Sequence, residues 1–296
     1  MSPRLCLGTA QFGSPYGVTN LNGKVSELEV INILTRAHHA GISLLDTAQV
    51  YGDSESVLGR SMRKGKNFHV ITKLPAQVSR ILTERHISLW EKAFFSSLNR
   101  LSLSKVDSLL LHSPADLLKP GFKYLETWLL SLKERRLVNR IGISIYSAND
   151  LNNLNLSILD LVQMPLSLFD QRLLQDGTIA LLRSQDVAIH IRSVYLQGLL
   201  LTPSYKWPQW APKKFLEHHV KLEVFAFERK CNLIDLVLGF AKNQLDVEAV
   251  VLGVCSVHEF NELINIWANP SPWTNDEWTN WAFQDDDILD PRTWLK

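Results

Sequence analysis

Asp46, Tyr51, Lys73 and His112 are four side chains that can hold or pass a proton, and each stands at or just beyond the end of a short apolar run. Asp46 closes Ser43–Asp46, Tyr51 follows it by five positions, Lys73 comes after His69–Thr72, and His112 comes after Ser108–Leu111. A phenol, an ammonium, a carboxylate and an imidazole gathered in one place suit the protonation of an oxygen that is becoming negative. A phenol with an ordinary pKa of about 10 is a poor acid at neutral pH. A neighbouring cation favours phenolate and makes it a better one. Taken singly, each residue has a structural explanation: a loop cap, a rim aromatic, a surface charge, a buried histidine.

The runs that carry these residues belong to a longer series. Leu5–Gly8, Ser43–Asp46, His69–Thr72, Ser108–Leu111, Ile141–Ser144, Leu159–Gln163, Ala188–Arg192 and Ala249–Leu252 read as strands. Several are nearly continuous apolar segments, as strands covered on both faces require. Amphipathic segments lie between them. Ser26-x-x-Glu29 reads as a capping box before Val30, Ile33, Leu34 and Ala37, and Gly41 ends that helix. Ile87, Trp90, Phe94 and Leu98 repeat the spacing, as do Leu125, Trp128, Leu129 and Leu132. Ser256-x-x-Glu259 is a second capping box, before Phe260, Leu263, Ile264 and Trp267. Alternating strands and helices imply a parallel sheet. Eight such units in 296 residues predict closure into a (β/α)8 barrel, an α/β fold of the TIM-barrel type. Residues 1–296 are expected to form one domain, with a core at about 4–268 and a Trp-rich C-terminal tail at 269–296. In such barrels functional side chains sit at the C-terminal ends of strands, where the four residues fall.

This arrangement resembles the aldo-keto reductase family. The resemblance rests on DTAxxYG at Asp46–Gly52 with Ser54-Glu55 following, on Lys73 after its strand, and on HSP at His112–Pro114. It continues through Gly142-Ile143-Ser144, Gln163-Met164-Pro165 and Gln197-Gly198-Leu199-Leu200, spanning Leu7 to about Trp267. It implies carbonyl reduction with a nicotinamide cofactor and a catalytic tetrad at Asp46, Tyr51, Lys73 and His112. Tyr51 would donate the proton, with Lys73 lowering its pKa. Asp46 would hold Lys73, and His112 would orient the carbonyl.

By the same resemblance Ser144 and Gln163 bind the nicotinamide carboxamide. Gln197, Gly198 and Leu199 approach the pyrophosphate, and Gly253, Ser256, Glu259 and Glu262 serve the adenosine end. Several positions depart from the family's pattern. Ile145 replaces an Asn, and Arg192 replaces a ring that stacks on the nicotinamide. A guanidinium can also lie flat on a ring, or it could pair with an anionic substrate. Gly253 and Val254 replace Lys and Ser, Glu259 an Arg or Gln, and Leu263 an Asn. The family favours NADP(H) over NAD(H), although a carboxylate at 259 would repel a 2′-phosphate.

Composition narrows the alternatives. The net charge is +1, from 31 basic and 30 acidic residues, with no basic stripe for nucleic acid. Cys6, Cys231 and Cys255 lack metal or redox spacing, which fits a reducing, cytoplasmic setting. No signal-peptide core or membrane-length apolar run is read in the sequence. His38-His39 and His218-His219 do not have metal-site spacing. The substrate expected is a small carbonyl compound. Arg192 and the tryptophans of Thr202–Pro212 and the tail favour a sugar derivative, if those rings line the pocket. The oligomeric state is not legible. A different class is also open: a nicotinamide-binding regulatory subunit whose chemistry is vestigial. So is a barrel epimerase or dehydratase that retains its cofactor.

Overall fold

The computed structural model describes residues 2–62, 67–270, 273 and 277–294. Residues 271–272, 274–276 and 295–296 of the predicted tail lie outside that set. Eight parallel strands close on themselves in sequence order. They are β1 (Arg4–Gly8), β2 (Leu44–Asp46), β3 (His69–Leu74), β4 (Val106–Leu111), β5 (Val138–Ser144), β6 (Leu161–Pro165), β7 (Ala188–Arg192) and β8 (Ala249–Gly253). All eight sequence-predicted runs are strands. The sixth begins two residues later than predicted, because Leu159 closes a tight turn with Leu156. Asp160 instead accepts hydrogen bonds from Lys133 and the Ile141 amide.

The helices, in chain order, are α1 (Ala10–Gly13), α2 (Glu27–His39), α3 (Ser54–Ser61), α4 (Glu84–Leu101), α5 (Phe122–Glu134), α6 (Arg172–Gln175), α7 (Thr178–Ser184), α8 (Lys213–Glu228), α9 (Leu233–Lys242), α10 (Val257–Ala268) and α11 (Asp286–Leu289). The predicted apolar faces are the buried ones: Val30, Ile33, Leu34 and Ala37 on α2, and Leu125, Trp128, Leu129 and Leu132 on α5. Fully burying such a side chain contributes about 1.5–3 kcal/mol, so these faces fix each helix against the barrel wall.

Inside the barrel the side chains form layers. A middle layer is apolar: Cys6, Leu44, Ile71, Leu110, Leu161 and Ala249. Below it, at the N-terminal ends of the strands, Arg140 donates to Asp107 at 2.8 Å and to Glu248 at 2.8 Å. His190 and Arg4 also donate to Glu248, at 3.1 and 2.7 Å. The hydrogen bonds from His190 and Arg140, with the Arg140 charge, hold the Glu248 carboxyl far below the usual carboxylate range. Above the apolar layer, at the C-terminal ends, lie Asp46, Lys73, Ser144 and Gln163.

The Trp-rich segments pack on the barrel wall. Trp273 stacks on Phe225 of α8 and donates to the Leu236 carbonyl of α9. Trp281 and Phe283 contact His218, while Trp278 meets Phe240 edge-on. Trp207 lies flat on His219 and donates to the Leu199 and Thr202 carbonyls. The two histidines of that pair are thus parts of an aromatic cluster.

Candidate active site

Neighbouring strand registers bring the sequence-predicted residues together. Gly8 pairs with Asp46 and with Gly253, Ser144 with Gln163, and Pro165 with Arg192. The loop that carries Tyr51 is held from both sides. Thr47 and Gln49 amides donate to the Ile71 and Lys73 carbonyls of β3. Ser54 Oγ donates to the Thr9 carbonyl and accepts from Thr47 Oγ1. Gly13 and Gly52 allow the two backbones to touch. A Cβ on Gly52, which has φ +58°, would stand 2.2 Å from the Gly13 carbonyl oxygen. This is why a glycine follows Tyr51.

Lys73 is fully buried, and its ammonium donates to Asp46 Oδ1 at 2.6 Å, Asp46 Oδ2 at 2.7 Å and the Thr47 carbonyl at 3.0 Å. An ammonium has three donors, so none is left for Tyr51. Lys73 Nζ lies 5.2 Å from the centroid of the Tyr51 ring, and the Tyr51 hydroxyl makes no hydrogen bond among the described residues. Burial pushes the Tyr51 phenol well above its ordinary value, the Asp46 charge adds to this, and Arg192 opposes it. Lys73 is thus held by Asp46 in this structure, and its proximity does not bring the Tyr51 phenol below its ordinary value. His112 meets the Tyr51 ring edge-on at 6.3 Å. Burial lowers its pKa to about 4, with Lys73 and Arg192 acting in the same direction. Its imidazole is neutral at neutral pH and can donate to a carbonyl oxygen without carrying charge.

These groups open onto a cavity of about 610 Å³. Asp46, Tyr51, His112, Arg192, Gln197, Gly198, Gly253, Glu259 and Glu262 line it, from the four-residue cluster at one end to α10 at the other. Lys73, Ser144, Gln163, Leu199 and Ser256 do not. Ser144 and Gln163 are buried beside residues that do: Gln163 Nε2 donates to Asp46 Oδ2 at 2.7 Å, and Arg192 Nε approaches Ser144 Oγ at 3.4 Å. Gln163 Oε1 is a buried acceptor with no partner, so it has capacity for one donor, such as an amide NH₂. Leu199 turns into the core, and its carbonyl is taken by Trp207; the structure moves it away from the place expected for it.

The lining includes residues the sequence reading missed. Gln11, Tyr16 and Thr19 come from the segment after β1, and Tyr146 and Tyr195 follow β5 and β7. Tyr146 was within reach, two positions beyond Ser144. Gln11 packs over Gly253, where a Cβ would come within 2.7 Å of the Gln11 amide and displace that side chain. Thr19 covers Gly198, whose φ is +96°, so that a Cβ would stand 1.9 Å from the Thr19 hydroxyl. None of the nine tryptophans lines the cavity. The aromatic wall of the cavity is made of tyrosines instead. The tail reaches the site differently, through Arg292, whose guanidinium lies 3.8 Å from the Tyr146 ring centroid.

At the far end the two capping boxes do something else. Ser26 and Ser256 each accept from the third helical amide, as predicted. Their glutamates do not close the boxes. Glu259 Oε2 accepts from the Cys255 amide at 2.6 Å, and Glu29 Oε1 crosses from α2 to accept from the Val257 amide at 2.6 Å. Two carboxylates thus occupy amides at the start of α10 that a phosphate would otherwise use.

The chain belongs to the aldo/keto reductase family, whose model matches residues 4–282. It is 26% identical to an NADH-specific methylglyoxal reductase from Escherichia coli, over 88% of each chain. It is 31% identical to an aldo-keto reductase from a Mycobacterium species, but that match spans 45% of each, less than half the relative's length. Among solved structures, the holo form of an aldo-keto reductase from Bacillus halodurans superposes with a TM-score of 0.74 at 19% identity, covering 94% and 92% of the two chains. Glycerol dehydrogenase from Gluconobacter oxydans gives 0.71 at 21%, covering 100% and 96%. The family is one of oxidoreductases. Among the described residues no helix is long and apolar enough to cross a membrane.

Proposed function

We propose that this chain reduces a small aldehyde or ketone to an alcohol, using a nicotinamide dinucleotide. The observation that carries the reading is the convergence of Tyr51, His112 and Arg192 on one elongated cavity that ends at Glu259 and Glu262. The cofactor supplies hydride to the carbonyl carbon when bound. Tyr51, protonated and buried, donates its proton to the oxygen. Neutral His112 holds that oxygen by a hydrogen bond, and its loss of charge keeps it from competing as the acid. Asp46 holds Lys73 as a fixed pair beneath the phenol. Phenolate left after proton transfer is stabilised by the Arg192 and Lys73 charges. Ser144 and Gln163 are the carboxamide-binding pair in this reading, supported by the unpartnered Gln163 acceptor.

In this reading NAD(H) replaces the NADP(H) that the family favours. Glu29 and Glu259 hold the amides at the start of α10, and their charges repel a 2′-phosphate. The naming of the Escherichia coli relative as NADH-specific agrees with this. Three free cysteines suit a cytoplasmic setting. The test is turnover of a panel of small aldehydes, methylglyoxal among them, with NADH and with NADPH. Reduction with NADH, abolished by Tyr51→Phe, supports the reading. Binding of the cofactor without turnover of any carbonyl would instead indicate a regulatory subunit.

A further inference from the structure

Arg192 lines the cavity and, unlike Lys73, Arg140, Arg172 and Arg292, forms no ion pair among the described residues. Lys73 is paired with Asp46, Arg140 with Asp107 and Glu248, Arg172 with Asp170, and Arg292 with Asp290. Arg192 donates instead to three neutral acceptors: Ile145 O at 2.9 Å, Ser193 Oγ at 3.1 Å and, at the limit of hydrogen bonding, Ser144 Oγ at 3.4 Å. Among the described residues no carboxylate forms an ion pair with it. Its guanidinium lies over the Tyr146 ring, 4.2 Å from the centroid. It is half-buried and faces the cavity that Tyr51 and His112 share. Its charge depresses the pKa of Tyr51 and of His112, so it acts across that space.

We propose that Arg192 makes the site selective for the reduced form of the nicotinamide cofactor. The inference rests on the reading above, in which Ser144 and Gln163 take the carboxamide. The Ser144 hydroxyl is a partner of Arg192 itself, so a nicotinamide held there lies beside the guanidinium. The reduced ring is neutral. Loss of hydride turns it into a cation, and an uncompensated cation beside it then repels it. Two unit charges about 7 Å apart at an effective dielectric of ~20 repel by an amount equal to roughly fifty-fold in a binding constant. A ring at position 192 would lack this repulsion, and its π face would attract the oxidised form. The balance of the reaction in solution is unchanged. What shifts is loading and release: the protein takes up reduced cofactor in the presence of excess oxidised cofactor, and expels the oxidised product.

The test is equilibrium binding to the full chain, read by isothermal titration calorimetry with NADH, NAD⁺, NADPH and NADP⁺. The wild type is expected to bind the reduced member of its preferred pair at least about ten-fold more tightly. Arg192→Gln and Arg192→Met should each compress that ratio about ten-fold, mainly by tightening the oxidised form, and Arg192→Lys should retain it. A wild-type ratio within about two-fold, or a ratio unchanged in both neutral variants, overturns the inference and leaves the carbonyl-reductase reading standing. Failure of the wild type to bind any of the four nucleotides removes that reading, and this inference with it.

Discussion

Two polar layers occupy opposite ends of the same barrel, separated by apolar side chains, and they handle charge differently. At the N-terminal end Arg4 and Arg140 face Asp107 and Glu248, and nearly every donor finds an acceptor; His190 Nδ1 is the exception. At the C-terminal end only the Asp46–Lys73 pair is closed. Arg192 lacks an anion, Gln163 Oε1 lacks a donor, and the Tyr51 hydroxyl makes no bond among the described residues. Buried polar groups without partners cost about 1–3 kcal/mol each. Three such groups gathered around one cavity are what a ligand would complete. The lower layer therefore reads as structure, the upper one as a site.

Substitutions can break that contrast. The largest effect expected is at Tyr51. Tyr51→Phe should lower carbonyl reduction by about 10²–10⁴-fold and leave NADH affinity within about two-fold, as measured by steady-state kinetics beside a binding titration. A comparable loss of binding would mean that the phenol is part of the cofactor grip. At the lower layer the pattern should invert. Arg140→Met takes the cation from Asp107 and leaves Glu248 with only Arg4 and His190. Breaking a buried pair costs about 3–5 kcal/mol, and partial exposure of this one reduces that to about 2 kcal/mol in urea unfolding. Activity per folded molecule should be unchanged; a strong loss would show that the two layers are coupled.

A smaller effect tests the far end of the cavity. Glu29→Gln with Glu259→Gln keeps an acceptor for each amide and removes both charges. Loss of two near-surface like charges, at about 0.5–1 kcal/mol each, should raise NADPH affinity relative to NADH by about ten-fold. An unchanged ratio would remove these carboxylates from cofactor choice. The smallest expected effect is a pH slope. The folded pKa of His112 is depressed from 6.5 to about 4, so the unfolded chain binds its proton more readily. Stability from this group is complete above about pH 6.5 and is lost as pH falls toward 4. One proton gives at most about 1.4 kcal/mol per pH unit. Thermal unfolding of His112→Gln across that window should show a shallower slope than the wild type, and an identical slope would mean that His112 is already accessible to protons.

Much of this was legible in the chain because it is local. Eight apolar runs of strand length, with amphipathic segments between several of them, specify the barrel, and the strand ends locate Asp46, Tyr51, Lys73 and His112 without reference to distant residues. What was not legible depends on partners far away in sequence. Glu29 looks like an ordinary capping residue until α10 is placed beside it, 228 positions on. Lys73 was expected to acidify Tyr51, because spacing shows that charges are close but not which one is satisfied first. The tryptophans of the tail are readable either as packing on the barrel wall or as a pocket lining, and only the placement of α8 and α9 decides for packing. Arg292 on Tyr146 joins a tail to a strand end with no sequence pattern to announce it.

The Glu29 contact also bears on the order in which the molecule is assembled. It lies just beyond the seam where β8 pairs with β1, at the opposite end of that seam from the Arg4–Glu248 bond. On a ribosome the first strand and α2 emerge long before residue 257. Until then β1 has an open edge, and the first amides of α10 do not exist to receive the carboxylate. Ring closure is thus a late, long-range event, of the kind that slows folding and exposes strand edges to other chains. A nascent chain stalled before β8 would carry seven strands and a sticky margin at Leu5–Leu7, so the last fifty residues complete the ring as well as the cofactor end.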